Sequence, residues 1–437
     1  MKKRTAMFLA LILIVSVFAG CASAPSAPAP AASTAPAAPA APTAPGTPAG
    51  SGNIIVSLWD YSNTEYYKTM FEAFESEFPY TIEVLESPSA DYIDHVLIML
   101  AGGAAVDALF LKGVPELSTL IGLNHLLPVN DYIAASNVDQ GAYSNLFDHL
   151  QRDGDVYGVP FRKDNFMLYY NKDLFDAAGV AYPTDGMNLQ QFRTLAAQMT
   201  SGTGNDKVYG AHVHTWVSQL FIMPRRVGEF DPLREDIVPA LTPYYETILA
   251  MQNEDESIMD FAALRAGSVH YSGVFYNQQV AMVNMGTWFT NMLVENVGTD
   301  FAWGAVSMPS ATGIGNTGGV GGVTPICINR NAANPQGAWD FINYVTGQEG
   351  ATILAGTGIL PGFTNAAVVA EILKLPGVPA DMANYLTVPI IIDTEMHPST
   401  REVENAIGDQ HLLIMTGSIS IAEGLAEAQQ DINRILS

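Results

Sequence analysis

Cysteine is almost absent from this sequence, and positive charge is scarce. The 437 residues include two cysteines, Cys21 and Cys327, and 19 Lys and Arg residues against 44 Asp and Glu residues, a formal net charge of −25 at pH 7. Binders of nucleic acid or of an anionic membrane surface need a positive face, so this charge argues against both partners. Two cysteines allow at most one disulfide. Stability must therefore come from apolar packing, for which 48% hydrophobic residues are ample.

The first 20 residues have the pattern of a secretory signal peptide. Basic residues at 2–4 precede an apolar run over 7–18 and two small residues. The sequence Val17–Cys21, VFAGC, has the form of a lipobox with Phe18 in place of the usual Leu, and it predicts lipid attachment at Cys21. A transmembrane anchor is the alternative, but the apolar run is shorter than the roughly 20 residues that a spanning helix needs.

Cleavage before Cys21 leaves 16 basic against 44 acidic residues, a formal net charge of −28. Several acyl chains would anchor the protein stably to the outer face of the cell membrane. The segment 21–52 is Ala- and Pro-rich and predicts an extended tether. With Cys21 acylated, Cys327 has no disulfide partner. Its apolar surroundings at 323–329 predict a small buried side chain rather than a catalytic thiol.

From Asn53 onward, apolar strand-like runs alternate with helical patterns. Residues 53–58 and 81–85 have the composition of strands, and aromatic and Met side chains at 66, 70, 74 and 78 recur at helical spacing between them. This alternation predicts an α/β protein with a parallel-type sheet covered by helices on both faces.

Three motifs resemble functional sites, but their contexts favour structural roles. Gly313, Gly315 and Gly318 fit G-x-G-x-x-G, yet no helix follows, so a glycine-rich loop is expected rather than a cofactor site. His212-Val-His214 lacks a nearby carboxylate or Cys that would complete a metal site. The acidic run 253–256 is interpreted as solvated surface. We therefore expect no cofactor and no metal.

Aromatic residues lie beside polar residues at several predicted strand ends. Aromatic faces match the C–H faces of pyranose rings, and ligands of open α/β sheets bind beyond the strand ends. This pattern favours a sugar site, although large aromatic residues are also often part of the core. The residues concerned are Trp59, Asp60, Tyr61, Tyr157, 161–164, Trp216, Trp288 and Trp303.

Several of these segments resemble the family 1 extracellular solute-binding proteins, the sugar-binding subunits of ABC importers related to maltose-binding protein. Residues 154–180 have the sequence GDVYGVPFRKDNFMLYYNKDLFDAAGV, similar to the family's signature segment. Residues 280–288, VAMVNMGTW, resemble the family pattern A-M-x-x-x-G-x-W. Residues 56–60, 123–133 and 334–342 add further similarity, so the resemblance covers nearly the whole chain after the tether.

The resemblance implies two α/β lobes joined by hinge strands, with the ligand in the cleft between them. Matching of segments puts the hinge crossings near Arg162, Phe301 and Gly350. The first lobe would then comprise 53–162 plus 301–350, and the second lobe 163–300 plus 351–437.

The resemblance also implies site residues. Asp164 falls where the family has a pocket carboxylate, and Trp288 where it has a stacking aromatic residue. Asn63, Thr64 and Lys112 follow predicted strands at contact positions, but maltose-binding protein has other residue types there, which argues against maltose. Less specific candidates are Trp59, Phe161 and Trp216.

These inferences predict an extracytoplasmic, lipid-anchored, monomeric sugar- or oligosaccharide-binding protein of an ABC importer, without enzymatic activity, which delivers its ligand to permease subunits. One alternative is a binding protein for a polyamine, an iron complex or a peptide. Another is a surface-tethered glycoside hydrolase, which would need two carboxylates about 5 to 10 Å apart across the glycosidic bond.

Overall fold

In the computed structural model, the described residues are 51–226, 230–234, 236–313 and 319–437. The predicted signal peptide, Cys21 and the tether up to residue 50 lie outside them, as does the 314–318 part of the glycine-rich motif. Within the described residues, no helix combines the length and apolarity needed to span a membrane.

Strands and helices alternate over residues 52–135, as the sequence predicts, and occur in longer runs of one type after that. The strands are β1 Gly52–Trp59, β2 Tyr80–Ser87, β3 Ala108–Phe110, β4 Leu126–Leu127, β5 Gln151–Arg152, β6 Asp155–Val156, β7 Val159–Lys163, β8 Phe166–Asn171, β9 Met282–Gly286, β10 Trp303–Ser307, β11 Gly319–Gly321, β12 Val323–Asn329 and β13 Ile390–Ile392. The helices are α1 Glu65–Glu77, α2 Tyr92–Ala101, α3 Val114–Gly122, α4 Asn130–Ala135, α5 Lys172–Ala178, α6 Leu189–Met199, α7 Ser218–Arg226, α8 Ile237–Asn253, α9 Phe261–Ala266, α10 Tyr271–Tyr276, α11 Trp288–Asn296, α12 Pro335–Thr346, α13 Gln348–Ala355, α14 Ala366–Leu373, α15 Ala383–Leu386, α16 Thr400–Met415 and α17 Ile421–Leu436.

A six-stranded sheet has the order β2-β1-β3-β12-β4, and β7 also pairs with β12. Strand β1 pairs in parallel with β2 and β3, whereas β12 runs antiparallel to its partners. Helix α1 packs Met70 and Phe74 into the core of this sheet. Cys327 is fully buried in the same core, which confirms the prediction of a small buried side chain.

A second sheet has the order β10-β8-β9 and is antiparallel throughout, so the parallel-type prediction holds only for part of the fold. Alternate residues of β8 enter two different cores: Leu168 packs with α6, α8, α16 and α17 on one face, and Tyr169 packs with α10, α11 and α14 on the other. Helices thus cover both faces.

Polar side chains cap the starts of two helices. Asn188 and Gln191 form a reciprocal capping box at α6. Asn334 accepts a hydrogen bond from the Gly337 N–H, and Pro335 is the first residue of α12.

The chain passes from the first sheet to the second between β7 and β8, and it returns between β10 and β12. Strand β10 pairs with β8, so residues 303–307 lie in the second sheet rather than with the first-lobe segment predicted for 301–350. Ile390 and Ile392 of β13 pack in the core of the first sheet, although 351–437 was assigned to the second lobe. We propose that sheet and core membership defines the lobes, with crossings near 164 and 322 and between α13 and α14, and with β13 returning to the first core before α16.

Candidate functional site

Strand β1 ends at Trp59, whose ring lies beside two cations. The Lys112 Nζ and the Arg162 guanidinium carbon are 5.5 and 5.8 Å from the ring centroid, within the range of cation–π attraction. The Trp59 side chain is only 8% exposed and meets Tyr92 edge to face, with centroids 5.2 Å apart. Trp59 therefore supports Lys112 and Arg162 and has little surface left for a ligand.

Hydrogen bonds fix both cations. The Lys112 Nζ donates to the Ser89 carbonyl oxygen, and its backbone N–H donates to the Glu116 carboxylate at 2.6 Å. Burial lowers the pKa of Lys112, and the Glu116 charge opposes this shift. Arg162 donates from Nε to Thr324 Oγ1 at 3.2 Å. We call Trp59, Lys112 and Arg162 the cation group.

Asp164 follows β7, where the chain leaves the first sheet. Its backbone N–H donates to the Gly322 carbonyl oxygen at 2.9 Å. Its carboxylate accepts a hydrogen bond from the backbone N–H of Trp288, the first residue of α11. The positive end of the helix dipole favours a carboxylate at this place. Burial nevertheless raises the pKa of Asp164, while the Arg162 charge and this hydrogen bond lower it.

Trp216, Tyr271 and Trp288 form an aromatic patch. The Trp288 Nε1–H donates to the Tyr271 hydroxyl at 3.0 Å. The Trp216 ring centroid lies 6.3 Å from that of Trp288 and 5.8 Å from that of Tyr271. Trp216 is 41% exposed and Trp288 is half-buried, so the patch offers apolar ring surface to a ligand.

Gly286 explains why the sequence G-x-W is needed at this turn. A Cβ at Gly286 would lie 2.0 Å from the nearest atom of the Trp288 ring. Any side chain at position 286 would therefore displace the ring from its place against β9.

The structure brings together Asp164, Trp288 and Trp216, and it places Trp59 with Lys112. The remaining candidates differ. Asn63 is exposed after β1, and the Thr64 hydroxyl donates to the Asp60 carbonyl oxygen at 2.8 Å at the start of α1. Phe161 has 0% exposure and packs against Tyr67 and Phe110, so its ring is a core component and offers no stacking surface.

A polar cavity of about 370 Å³ extends from Gly322, the residue that accepts the Asp164 N–H hydrogen bond. Its wall combines residues of the β3–α3 region with residues of β13–α16. The charged lining residues are Lys112, Glu116, Asp393, Arg401 and Glu404. Asp164 is thus hydrogen-bonded both to Gly322 of the cavity wall and to Trp288 of the aromatic patch.

Two carboxyl groups of this cavity are partly desolvated. Burial raises the pKa of Asp393 to about 6, with a smaller contribution from the Asp164 charge. Burial likewise raises the pKa of Glu404 to about 7, with the Asp393 charge adding to the shift, and its Oε1 accepts a hydrogen bond from the Thr394 hydroxyl at 2.8 Å.

Sequence inspection missed Tyr271 of the patch and His270, whose ring packs against Tyr271, and it missed Asp393, Arg401 and Glu404 in the cavity. His214 was visible in the sequence, but it was considered only as a metal ligand. The cavity residues carry no local motif, and only the fold brings them beside Lys112. The described residues contain no group of three or more His, Cys, Asp or Glu side chains suited to a metal.

The acidic run is more structured than expected. Arg193 pairs with Glu254 at 2.6 Å and with Asp255 at 2.5 Å, and Lys207 pairs with Glu256 at 3.1 Å. These residues are therefore part of a paired surface rather than only solvated side chains.

A family model described as bacterial extracellular solute-binding protein matches residues 69–380. The fold is similar to that of a sugar transporter protein from Rhizobium etli in an open conformation, with a TM-score of 0.76 and 32% identity, covering 87% of this chain and 99% of that one. An ABC substrate-binding protein from Listeria monocytogenes, in complex with cycloalternan, has a TM-score of 0.76 at 19% identity, covering 88% and 99% of the two chains. These matches confirm the predicted two-lobe α/β fold.

An uncharacterised lipoprotein from Streptomyces antibioticus is similar in sequence. It is 25% identical over 305 residues, which cover 65% of this chain and 64% of that protein.

Proposed function

The chain belongs to the bacterial extracellular solute-binding protein family, and from this premise we propose that it captures a sugar or oligosaccharide for an ABC importer. The ligand would lie on the aromatic patch, reach Asp164, and extend toward the polar cavity. The proposal includes an extracytoplasmic location, a lipid anchor at Cys21, a monomeric state, and delivery to permease subunits.

The observation that carries the proposal is the aromatic patch with a carboxylate at its edge. Trp216 and Trp288 present ring surface, and the Asp164 carboxylate lies at the N-terminus of the helix that begins with Trp288. Sugar rings need both an apolar surface for their C–H groups and acceptors for their hydroxyl groups.

The charges around the site favour a neutral ligand over a polyamine. Asp164 is accompanied by Arg162, and Glu116 is accompanied by Lys112. A site for a polycation would instead present carboxylates without neighbouring cations, because each adjacent cation repels the ligand.

Hinge closure would couple binding to transport. The cation group belongs to the first sheet and its neighbours, whereas Trp288 packs with the second sheet and Trp216 contacts Trp288. A sugar that contacts both stabilises the closed form by its differential affinity for the two forms. The closed form would then dock on the permease.

A thermal-shift panel of mono- and oligosaccharides tests the proposal. A ligand at 100 times its dissociation constant should add about 2.7 kcal/mol to the free energy of unfolding. Trp216→Ala should abolish most of the shift, while Tyr182→Ala, which removes an exposed aromatic side chain outside the patch, should retain it.

The same panel separates the alternatives. A thermal shift with a polyamine, together with no shift with any sugar, would reject sugar capture. Cleavage of an oligosaccharide during the incubation would instead indicate a glycoside hydrolase.

A further inference from the structure

His212 and His214 are joined by one hydrogen bond behind the aromatic patch. Their segment runs beside β9, where the His212 backbone N–H donates to the Met282 carbonyl oxygen at 2.8 Å. Nε2 of His212 and Nδ1 of His214 are 3.2 Å apart. One of these nitrogens must donate and the other must accept, so the protonation of the two rings is coupled.

The other nitrogen of His212 decides the direction of this hydrogen bond. His212 is 1% exposed, and among the described residues its Nδ1 has no hydrogen-bond partner. Burial lowers the pKa of both rings, to about 3 for His212 and about 4 for His214, so each carries a single proton at neutral pH. Buried N–H groups without an acceptor are rarer than under-satisfied acceptors. These surroundings favour the His212 proton on Nε2, donated to His214 Nδ1, with the His214 proton then on Nε2.

His214 is in direct contact with the patch. Its ring centroid is 4.6 Å from that of Trp216 and 5.3 Å from that of Tyr271, both in edge-to-face arrangements. The residue retains 8% exposure. An aromatic surface alone discriminates weakly between sugars, whereas a fixed polar group beside it rejects ligands that lack the matching atom.

We propose that His214 is a specificity-determining ligand contact whose Nε2–H donates a hydrogen bond to an oxygen of the sugar on the aromatic patch, and that His212 is the positioning residue that fixes this tautomer. The inference rests on the proposed function of sugar capture and adds a donor that selects among sugars. A monodeoxy sugar without the matching oxygen would be rejected.

Calorimetric titration of the sugar that binds best in the panel tests the contact. His214→Phe keeps a ring of similar shape without the donor and should weaken binding about 10- to 100-fold, the loss expected for a buried hydrogen bond. His212→Leu should weaken binding in the same direction, and His212→Gln, which retains a donor for His214 Nδ1, should restore near wild-type affinity. Unchanged affinity in His214→Phe would overturn the contact.

Two further measurements give a result on the wild-type protein alone, and the second is then compared with His214→Phe. Nitrogen-15 NMR of histidine-labelled, ligand-free protein should show His214 protonated at Nε2 and bare at Nδ1; the opposite tautomer would overturn the role of His212. Monodeoxy analogues of the best ligand should include one that loses about 10- to 100-fold in affinity, and an additional loss of the same size in His214→Phe would show that His214 is not the partner of that oxygen.

Together these experiments separate a failure of sugar capture from a failure of the His214 contact. If no sugar binds the wild-type protein, the proposed function fails and the sugar contact fails with it, while NMR still decides the tautomer. If a sugar binds equally well to wild type and His214→Phe, only the His214 contact is wrong.

Discussion

Burial separates the five tryptophans of the chain into distinct roles. Trp303 and Trp339 are 2% and 1% exposed and belong to the cores, and Trp59 is 8% exposed beneath two cations. Trp216 and Trp288 alone combine partial exposure with contacts to each other. The surroundings of each tryptophan therefore decide whether its ring is part of a core or available to a ligand.

Removal of the ring at 288 or the carboxylate at 164 should reduce affinity. Trp288→Ala and Asp164→Ala are each expected to weaken sugar binding by about 1–3 kcal/mol, because each removes a stacking or hydrogen-bonding group. Titration calorimetry measures the change, and unchanged affinity in both variants would rule out this site.

Phe161→Ala provides the contrast, because Phe161 was a candidate contact that the structure places in the core. It should lower the free energy of unfolding by about 3–5 kcal/mol. Its effect on affinity should be small as long as the variant stays folded.

At the scale of elements, the site is assembled where crossing segments meet. Strand β11 pairs with β13, and the Asp393 N–H that follows β13 donates to the Gly321 carbonyl oxygen at 2.8 Å. Next to it, the Asp164 N–H donates a hydrogen bond to the Gly322 carbonyl oxygen. Helix α16 then brings Glu404 toward Asp393. The carboxyl groups of Asp393 and Glu404 are thereby partly desolvated in the polar cavity.

The raised pKa values of Asp393 and Glu404 predict a pH dependence of stability. Their ordinary values of 3.8 and 4.5 rise to about 6 and about 7, so the folded protein binds more protons than the unfolded chain between about pH 4 and pH 7. Their contribution to stability is therefore fully present below pH 4 and is lost as the pH rises through 6 and 7.

Uncharged isosteres should remove this effect. Asp393→Asn and Glu404→Gln should have a higher Tm than wild type at pH 8, and the difference should shrink toward pH 5 because the wild-type groups become protonated. The exposed Glu402 on the same helix supplies the control: Glu402→Gln should leave the pH profile of Tm unchanged. A difference that is constant across this pH range would contradict the assignment.

At the scale of the whole molecule, one core lies at the first sheet and two cores lie on the two faces of the second sheet. Bending at the crossings between the sheets would let the two lobes close on a ligand. The strongly acidic composition keeps the protein soluble, and an anchor would keep it near its transporter, where local concentration favours delivery.

Substitution of Cys21 should release the protein from the membrane. Wild-type protein should sediment with membranes, and mass spectrometry of its N-terminus should show an acylated Cys21. Cys21→Ala has no thiol to acylate and should appear in the soluble fraction or remain unprocessed. Cys327→Ala is the matched control, because Cys327 is fully buried and its loss should leave fractionation unchanged. An unmodified N-terminus at another residue would refute the lipobox assignment.

The sequence by itself determined the elements and the family. Helix caps at Asn188 and Asn334, the apolar periodicity of α1 and the G-x-W turn at Gly286 depend on residues within a few positions of one another, so local sequence is sufficient to predict them. Asp164 and Trp288 were identified because they lie in segments that resemble the family pattern.

The tertiary structure decided which side chains share a surface. Phe161 and Trp216 are both aromatic residues beside polar neighbours, yet one is enclosed by Tyr67 and Phe110 and the other is exposed. Asp393 and Glu404 reach the Lys112 cavity only because β13 pairs with β11 and α16 follows it. The burial of a side chain and the pKa of a carboxyl group depend on residues from distant parts of the chain, and only the folded arrangement brings those residues within interaction distance.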